Sequence, residues 1–212
     1  MVRPSLTYVL VADGKSDRVL LPILDWTIRA NWPEALLGNR TVVAREGRDL
    51  QTECRTARER HSPRLLIVHR DAERESLAQR ASEIAASDPG AVPVVPVRMT
   101  EAWLLFDVDA IRAAADNPSG RVRLDLPLPR RLEDLPDPKQ VLHAALTAAS
   151  EETGPRRRKR FQRDLPARID RLSHLIRDYS PLRELSAFRE FESQLESAIR
   201  ELRARDEAAE SQ

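Results

Sequence analysis

The sequence predicts an α/β protein: a mostly parallel sheet flanked by helices, with a C-terminal helical extension. Three observations predict it. Over the first hundred residues, short apolar runs alternate with segments of helical period in the order βαβαβαβ, as a parallel sheet with helices on both faces requires. The run RLLIVH (64–69) is apolar at nearly every position, as a central strand covered on both faces would be. Beyond residue 97 the strand signal stops and helical period takes over.

Each element follows from its own pattern. LTYVLVA (6–12) reads as a buried strand. Residues 16–30 place Val19, Leu20, Ile23, Leu24, Trp26 and Ile28 near helical period, with Ser16 as a natural N-cap. RTVVAR (40–45) is a second strand, 49–60 a polar helix, 64–69 a third strand and 73–86 a helix. AVPVVPV (91–97) is a fourth strand whose two prolines place it at an edge or in an irregular position. Residues 100–106 begin a helix and 109–115 continue or follow it. Residues 117–138 hold five of the fifteen prolines and read as a loop. Residues 138–149, 163–177 and 181–205 read as helices. The expected organisation is an α/β unit over 1–116, a Pro-rich connection over 117–138, a helical region over 139–205 and a disordered tail over 206–212.

Composition narrows the function classes. With 35 basic and 34 acidic residues, net charge points to no partner; only local distribution can. The single cysteine, Cys54, excludes an internal disulfide framework and a cysteine zinc site. The first residues do not form a signal peptide and no apolar run reaches membrane length, so the expectation is a cytoplasmic protein with no membrane partner. A homo-oligomer stays open.

The candidate chemistry lies where strands end. In an open parallel sheet, ligands sit beyond the carboxyl ends of the strands. Asp13 ends the first strand, with Asp17 four residues on. His69 ends the third and Asp71 follows it. Glu101 follows the fourth. Acidic groups gathered at one edge repel unless a cation neutralises them, and oxygen donors favour Mg2+ or Mn2+. Gly14 allows a tight turn beside Asp13. Each residue also has a structural alternative. Asp-Gly is a common turn, Ser16 and Asp17 make a common helix start, and Asp71 can cap a helix. Glu101 can be a first-turn acid, and His69 a satisfied core histidine. Their recurrence at equivalent edges of successive βα units favours a site.

A basic run, GPRRRKRF (154–161), puts Arg156, Arg157, Arg158, Lys159 and Arg160 in succession. Such a run attracts a phosphate backbone by counterion release. Glu151, Glu152 and Asp164 flank it, and its alternative is a solvated loop or helix start. Trp103, Leu104 and Phe106 in EAWLLFD read as core rather than as a base-stacking platform.

Three segments together resemble a known family. VADGKSDRVLL is similar to the first signature of the Toprim domain, an apolar strand followed by Glu-Gly-x-Thr/Ser-Asp. LLIVHRDAE is similar to its second, a strand followed by Asp-x-Asp. VPVRMTEAWLLFD resembles the Glu-Ala-Trp-Leu-Leu segment of Toprim-like bacterial proteins related to the nuclease half of overcoming-lysogenisation-defect (OLD) proteins. The resemblance covers roughly residues 6–110. It implies a Rossmann-like fold and a magnesium-dependent phosphodiester enzyme acting on nucleic acid, DNA ahead of RNA. Asp13 takes the place of the family's glutamate, one methylene shorter. Asp17 matches the acid four residues later, and Asp71 the second aspartate of Asp-x-Asp. His69 stands where the first aspartate would be, removing one negative charge while leaving a group that can ligate a transition metal or move a proton.

By that resemblance Asp13, Asp71 and Glu101 hold metal, with Asp17 and His69 beside them. It also implies work beside an AAA- or ABC-type ATPase in defence against phage or mobile DNA. The sequence has no Walker A motif, so that ATPase is expected on a separate polypeptide. Topoisomerase chemistry is not expected, because Tyr8 and Tyr179 are the only tyrosines and no separate tyrosine-bearing domain is evident. Two alternatives stand beside the nuclease: a catalytically degenerate Toprim scaffold that binds nucleic acid or an ATPase, and a small-molecule phosphotransferase or phosphatase.

Overall fold

The computed structural model describes residues 5–45, 47 and 49–210. Four strands, β1 (Ser5–Ala12), β2 (Leu36–Ala44), β3 (Leu65–His69) and β4 (Ala91–Val94), pair in the order β2-β1-β3-β4, all parallel. The helices are α1 (Leu21–Asn31), α2 (Leu50–His61), α3 (Leu77–Ser87), α4 (Val108–Ala114), α5 (Pro138–Ala149), α6 (Pro155–Arg163), α7 (Leu165–Leu175) and α8 (Ser186–Glu210). The chain is therefore an α/β protein with a Rossmann-like parallel sheet and helices on both faces.

Alternation along the central strands builds the two faces. Leu6, Tyr8, Leu10 and Ala12 of β1 point to one side with Leu65 and Ile67 of β3, packing against residues of α1, α4, α5, α7 and α8. Val9, Val11, Leu66 and Val68 point to the other side, against Leu50, Cys54 and Ala57 of α2 and Ile84 of α3. Both faces of β1 and β3 are thus covered, which is why these strands read as continuous apolar runs. The first core runs from Leu6 to Leu202, so the C-terminal helices bury the same face of the sheet as α1. Among the described residues, no helix is long and apolar enough to cross a membrane.

Several elements differ from the sequence reading, each for a local reason. The helix expected over 16–30 splits into a 3₁₀ turn, Lys15–Leu20, and α1, because Pro22 in the first turn of α1 has no N–H to continue a ladder through the junction. Helix α3 starts at Leu77 rather than 73: Glu73 has φ +53°, outside the helical region, and the Ser76 hydroxyl caps the helix by accepting from Gln79 N–H. The helix expected over 163–177 is α7, with Pro166 in its first turn, and the basic run before it forms a separate helix, α6, which ends at Asp164. Strand β4 ends at Val94, before Pro96, and lies at a sheet edge as its prolines require.

Helix α8 begins at Ser186 because Glu133, from a 3₁₀ turn inside the Pro-rich segment, accepts from Ser186 and Ala187 N–H. It continues to Glu210, so residues 206–210, expected to be a disordered tail, are helical. Arg64 grips Asp206 at 2.5 Å and anchors that end. Residues 211–212 of the expected tail lie outside the described residues.

Candidate active site

The connection from β1 leads to β2 on one side of it, and the chain then returns past β1 to β3 on the other. The carboxyl ends of β1 and β3 therefore flank the point where the winding reverses, the position at which parallel sheets leave a crevice. Strand β1 delivers Asp13 and Asp17 there, and β3 delivers His69, Arg70 and Asp71. Glu101 arrives on a 3₁₀ turn, Thr100–Leu104, after β4. Strand β2 ends beside them with Arg45, whose N–H donates to Ala12 carbonyl at 2.9 Å.

The histidine is buried and oriented. Val94 carbonyl lies 3.1 Å from its Nδ1, which assigns the proton to Nδ1 and leaves Nε2 as an acceptor. The Thr100 hydroxyl lies 3.3 Å from Nε2 and 3.4 Å from Asp71 Oδ1, so its one proton can serve only one of them. Nε2 stands 3.6 Å from Asp71 Oδ1 and 3.8 Å from Asp17 Oδ2. Burial pulls the His69 pKa below its ordinary value, against the opposing pull of Asp17.

Asp71 is the most perturbed carboxyl of the site. Burial first, then the charges of Asp17, Glu101 and Asp13, push its pKa up to about 8. It caps no helix, because Ser76 does that for α3. Asp17 differs: one carboxylate oxygen accepts from Gly14 N–H at 2.8 Å and the other from the Ser16 hydroxyl at 3.2 Å, so part of its role is to shape the turn. Ser16 is thus not the cap expected of it. Nor does the turn draw on the freedom of glycine: Gly14 has an extended φ of −151°, and a Cβ there would meet only Ser16 Oγ, at 3.6 Å.

Asp13 is held by two guanidiniums, Arg45 Nη1 at 2.8 Å and Arg70 Nε at 3.6 Å. The Nε of Arg45 is buried without a partner among the described residues. Glu101 faces Lys139 of α5 at 3.8 Å. Arg45, Arg70, Thr100 and Lys139 were not singled out in the sequence. The rule that selects Asp13, a polar residue just past a strand, would also have selected Arg45.

A hard divalent cation fits this donor set in chemistry, since four carboxylates gather at a partly exposed edge where Asp71 is held back from ionising. As the side chains stand, no three His, Cys, Asp or Glu groups among the described residues are positioned to hold an ion.

The basic run lies elsewhere, on the exposed face of α6, with Arg157 paired to Glu152 at 3.1 Å. Phe161 anchors α6, which packs on α5 and α7, and α5 in turn packs on the turn carrying Glu101. Trp103 and Leu104 are buried in the core, Trp103 edge-on to Phe188 at 5.3 Å; Phe106 packs against the same core, partly buried. No known protein family, curated protein or solved structure matches this chain.

Proposed function

We propose that this protein is a Mg2+- or Mn2+-dependent phosphodiester hydrolase of Toprim type that acts on nucleic acid. One observation carries the reading: Asp13, Asp17, His69, Asp71 and Glu101 gather around the crevice at the carboxyl ends of β1 and β3, where burial first, and then the field of the other acids, keeps Asp71 from ionising normally. Two of the sequence segments that resemble Toprim signatures span these strand ends, and the third follows β4 and carries Glu101. Asp13, Asp71 and Glu101 are the residues that would hold the ion. When bound, it supplies charge neutralisation and Lewis-acid polarisation of a phosphate.

The chain's own residues supply the rest. Arg45 and Arg70 pair with Asp13, and their guanidiniums would be the donors to phosphate oxygens if that carboxylate held a cation. His69 is buried, and it stands with Thr100 directly against Asp71, where its Nε2 can hold or take a proton. Arg156, Arg157, Arg158, Lys159 and Arg160 give nucleic acid a landing strip on α6, joined to the acid edge through α5. DNA is the favoured substrate. A separate ATPase subunit and a role in defence against phage or mobile DNA accompany this reading through the same resemblance.

The ion pairing of Asp13 with Arg45 favours a second reading, a degenerate Toprim scaffold that binds nucleic acid or an ATPase without cutting. Calorimetric titration with Mg2+ and Mn2+, beside cleavage of plasmid DNA and structured RNA, separates the two. The nuclease reading expects binding and cleavage in the parent protein and loss of both in Asp71→Asn. Absence of metal binding in the parent, or cleavage unchanged by Asp71→Asn, overturns it.

A further inference from the structure

Away from the acid edge, a recess of about 560 Å3 opens between α1, β2 and the segment that follows α7. Arg29, Arg40, Arg177 and His174 line it, together with Asp25 and Trp26. Its floor is built rather than incidental. Asp25 is buried on α1 and accepts both the Tyr8 hydroxyl, at 2.8 Å, and the Arg40 guanidinium. Tyr8 and Arg40 are partners in the β1–β2 register, so the sheet itself sets where Arg40 stands.

Arg29 lies one helical turn beyond Asp25 and faces the same side. Arg177 and His174 come from the end of α7 and the segment after it. Neither Arg29 nor Arg177 is paired with a carboxylate among the described residues, although carboxylates hold arginines at many other places on this surface. Three guanidiniums against one carboxylate leave the recess about two charges positive. Trp26 forms an apolar wall, steadied by Arg183 stacked 5.0 Å over its ring and by Tyr179 at its edge.

We propose that this recess binds a small phosphorylated ligand of nucleotide size. Guanidinium forks match phosphate oxygens in pairs, which a scattered basic surface does not. The volume falls within the ordinary range of about 300–1,000 Å3 for small-molecule sites. Trp26 offers an apolar surface to the uncharged part of such a ligand. The recess shares no residue with the acid edge, so it stands or falls independently of the hydrolase reading.

The test uses the full chain with ATP and inorganic pyrophosphate as separate probes, followed by calorimetry and tryptophan emission. Trp32 and Trp103 are buried while Trp26 is partly exposed, so the ligand-dependent change in emission should vanish in Trp26→Phe with affinity largely retained. The double substitution Arg29→Gln with Arg177→Gln should weaken ATP by roughly a hundredfold, about tenfold for each charge-assisted hydrogen bond removed. Both side chains are exposed, so the melting temperature should hold, and Arg29→Lys with Arg177→Lys should restore part of the affinity. Equal affinity in parent and double-Gln proteins overturns the proposal. So does silence from both probes up to about 10 mM. Binding confined to single-stranded oligonucleotide also overturns it, since that would mark a strand groove rather than a small-ligand site.

Discussion

Asp25 sits on α1 against β1 and β2, and Asp71 lies just beyond the carboxyl end of β3; their surroundings differ in kind. Asp25 is 5 % exposed on α1 and receives the Tyr8 hydroxyl and the Arg40 guanidinium. Asp71, at the carboxyl end of β3, has one contested hydroxyl from Thr100 and stands among Asp17, Glu101 and Asp13. The contrast teaches that burial does not mark a functional acid; incomplete satisfaction does. A buried carboxylate with its donors in place stabilises one structure. A carboxylate pressed by its own kind is a poised charge that a ligand or cation can relieve.

The sharpest way to break that comparison is to delete Asp25. Asp25→Ala leaves the Tyr8 hydroxyl buried without a partner and opens a gap beside Arg40, so urea denaturation should show a loss of about 3 kcal/mol. An unchanged midpoint would mean that Asp25 is no structural anchor and that the comparison fails.

Cation addition should produce the next largest effect, on the other acid only. Mg2+ at about a hundred times its dissociation constant should stabilise the parent by about 2.7 kcal/mol, read as a rise in Tm, and should not stabilise Asp71→Asn. Equal rises in the two proteins would remove Asp71 from the ligand set.

A smaller effect is expected without metal, and its sign is opposite to that at Asp25. The folded-state pKa of Asp71, about 8, lies above the ordinary carboxyl value near 3.9. The folded state therefore binds the proton more tightly than the unfolded state. The stability that this proton contributes is fully present below about pH 4 and is lost as pH rises to about 8. The groups facing Asp71 are Asp17, Glu101, Asp13, His69 and Thr100. In chelator-treated protein, Asp71→Asn should match the parent near pH 4 and exceed it by about 1–2 kcal/mol near pH 9. A parallel pH profile for the two proteins would show that Asp71 ionises freely.

The smallest stability effect belongs to α6. Replacing Arg156, Arg157 and Arg158 with Ala should change stability by less than about 0.5 kcal/mol. Nucleic-acid binding should weaken, with the salt slope falling by about 0.9 for each duplex phosphate no longer neutralised. An unchanged slope would return this helix to a solvated face.

By itself, the sequence determined the parallel sheet and the strand ends that carry Asp13, His69 and Asp71. Those features follow from local alternation and from the apolar runs of strands covered on both faces, a pattern written in consecutive residues. It also exposed the basic run. Helix boundaries were less legible wherever another segment decides them: Glu133 caps α8 from 53 positions away. Only the tertiary structure decided that Arg45 and Arg70 converge on Asp13, that His69 is sealed beneath Thr100, and that Asp71 is crowded by three other acids. It alone assembled Asp25, Arg29, Arg40 and Arg177 around one recess. The reason is physical. Desolvation and Coulomb interaction depend on distance in space, and residues far apart in the chain acquire a distance only when the sheet brings them together.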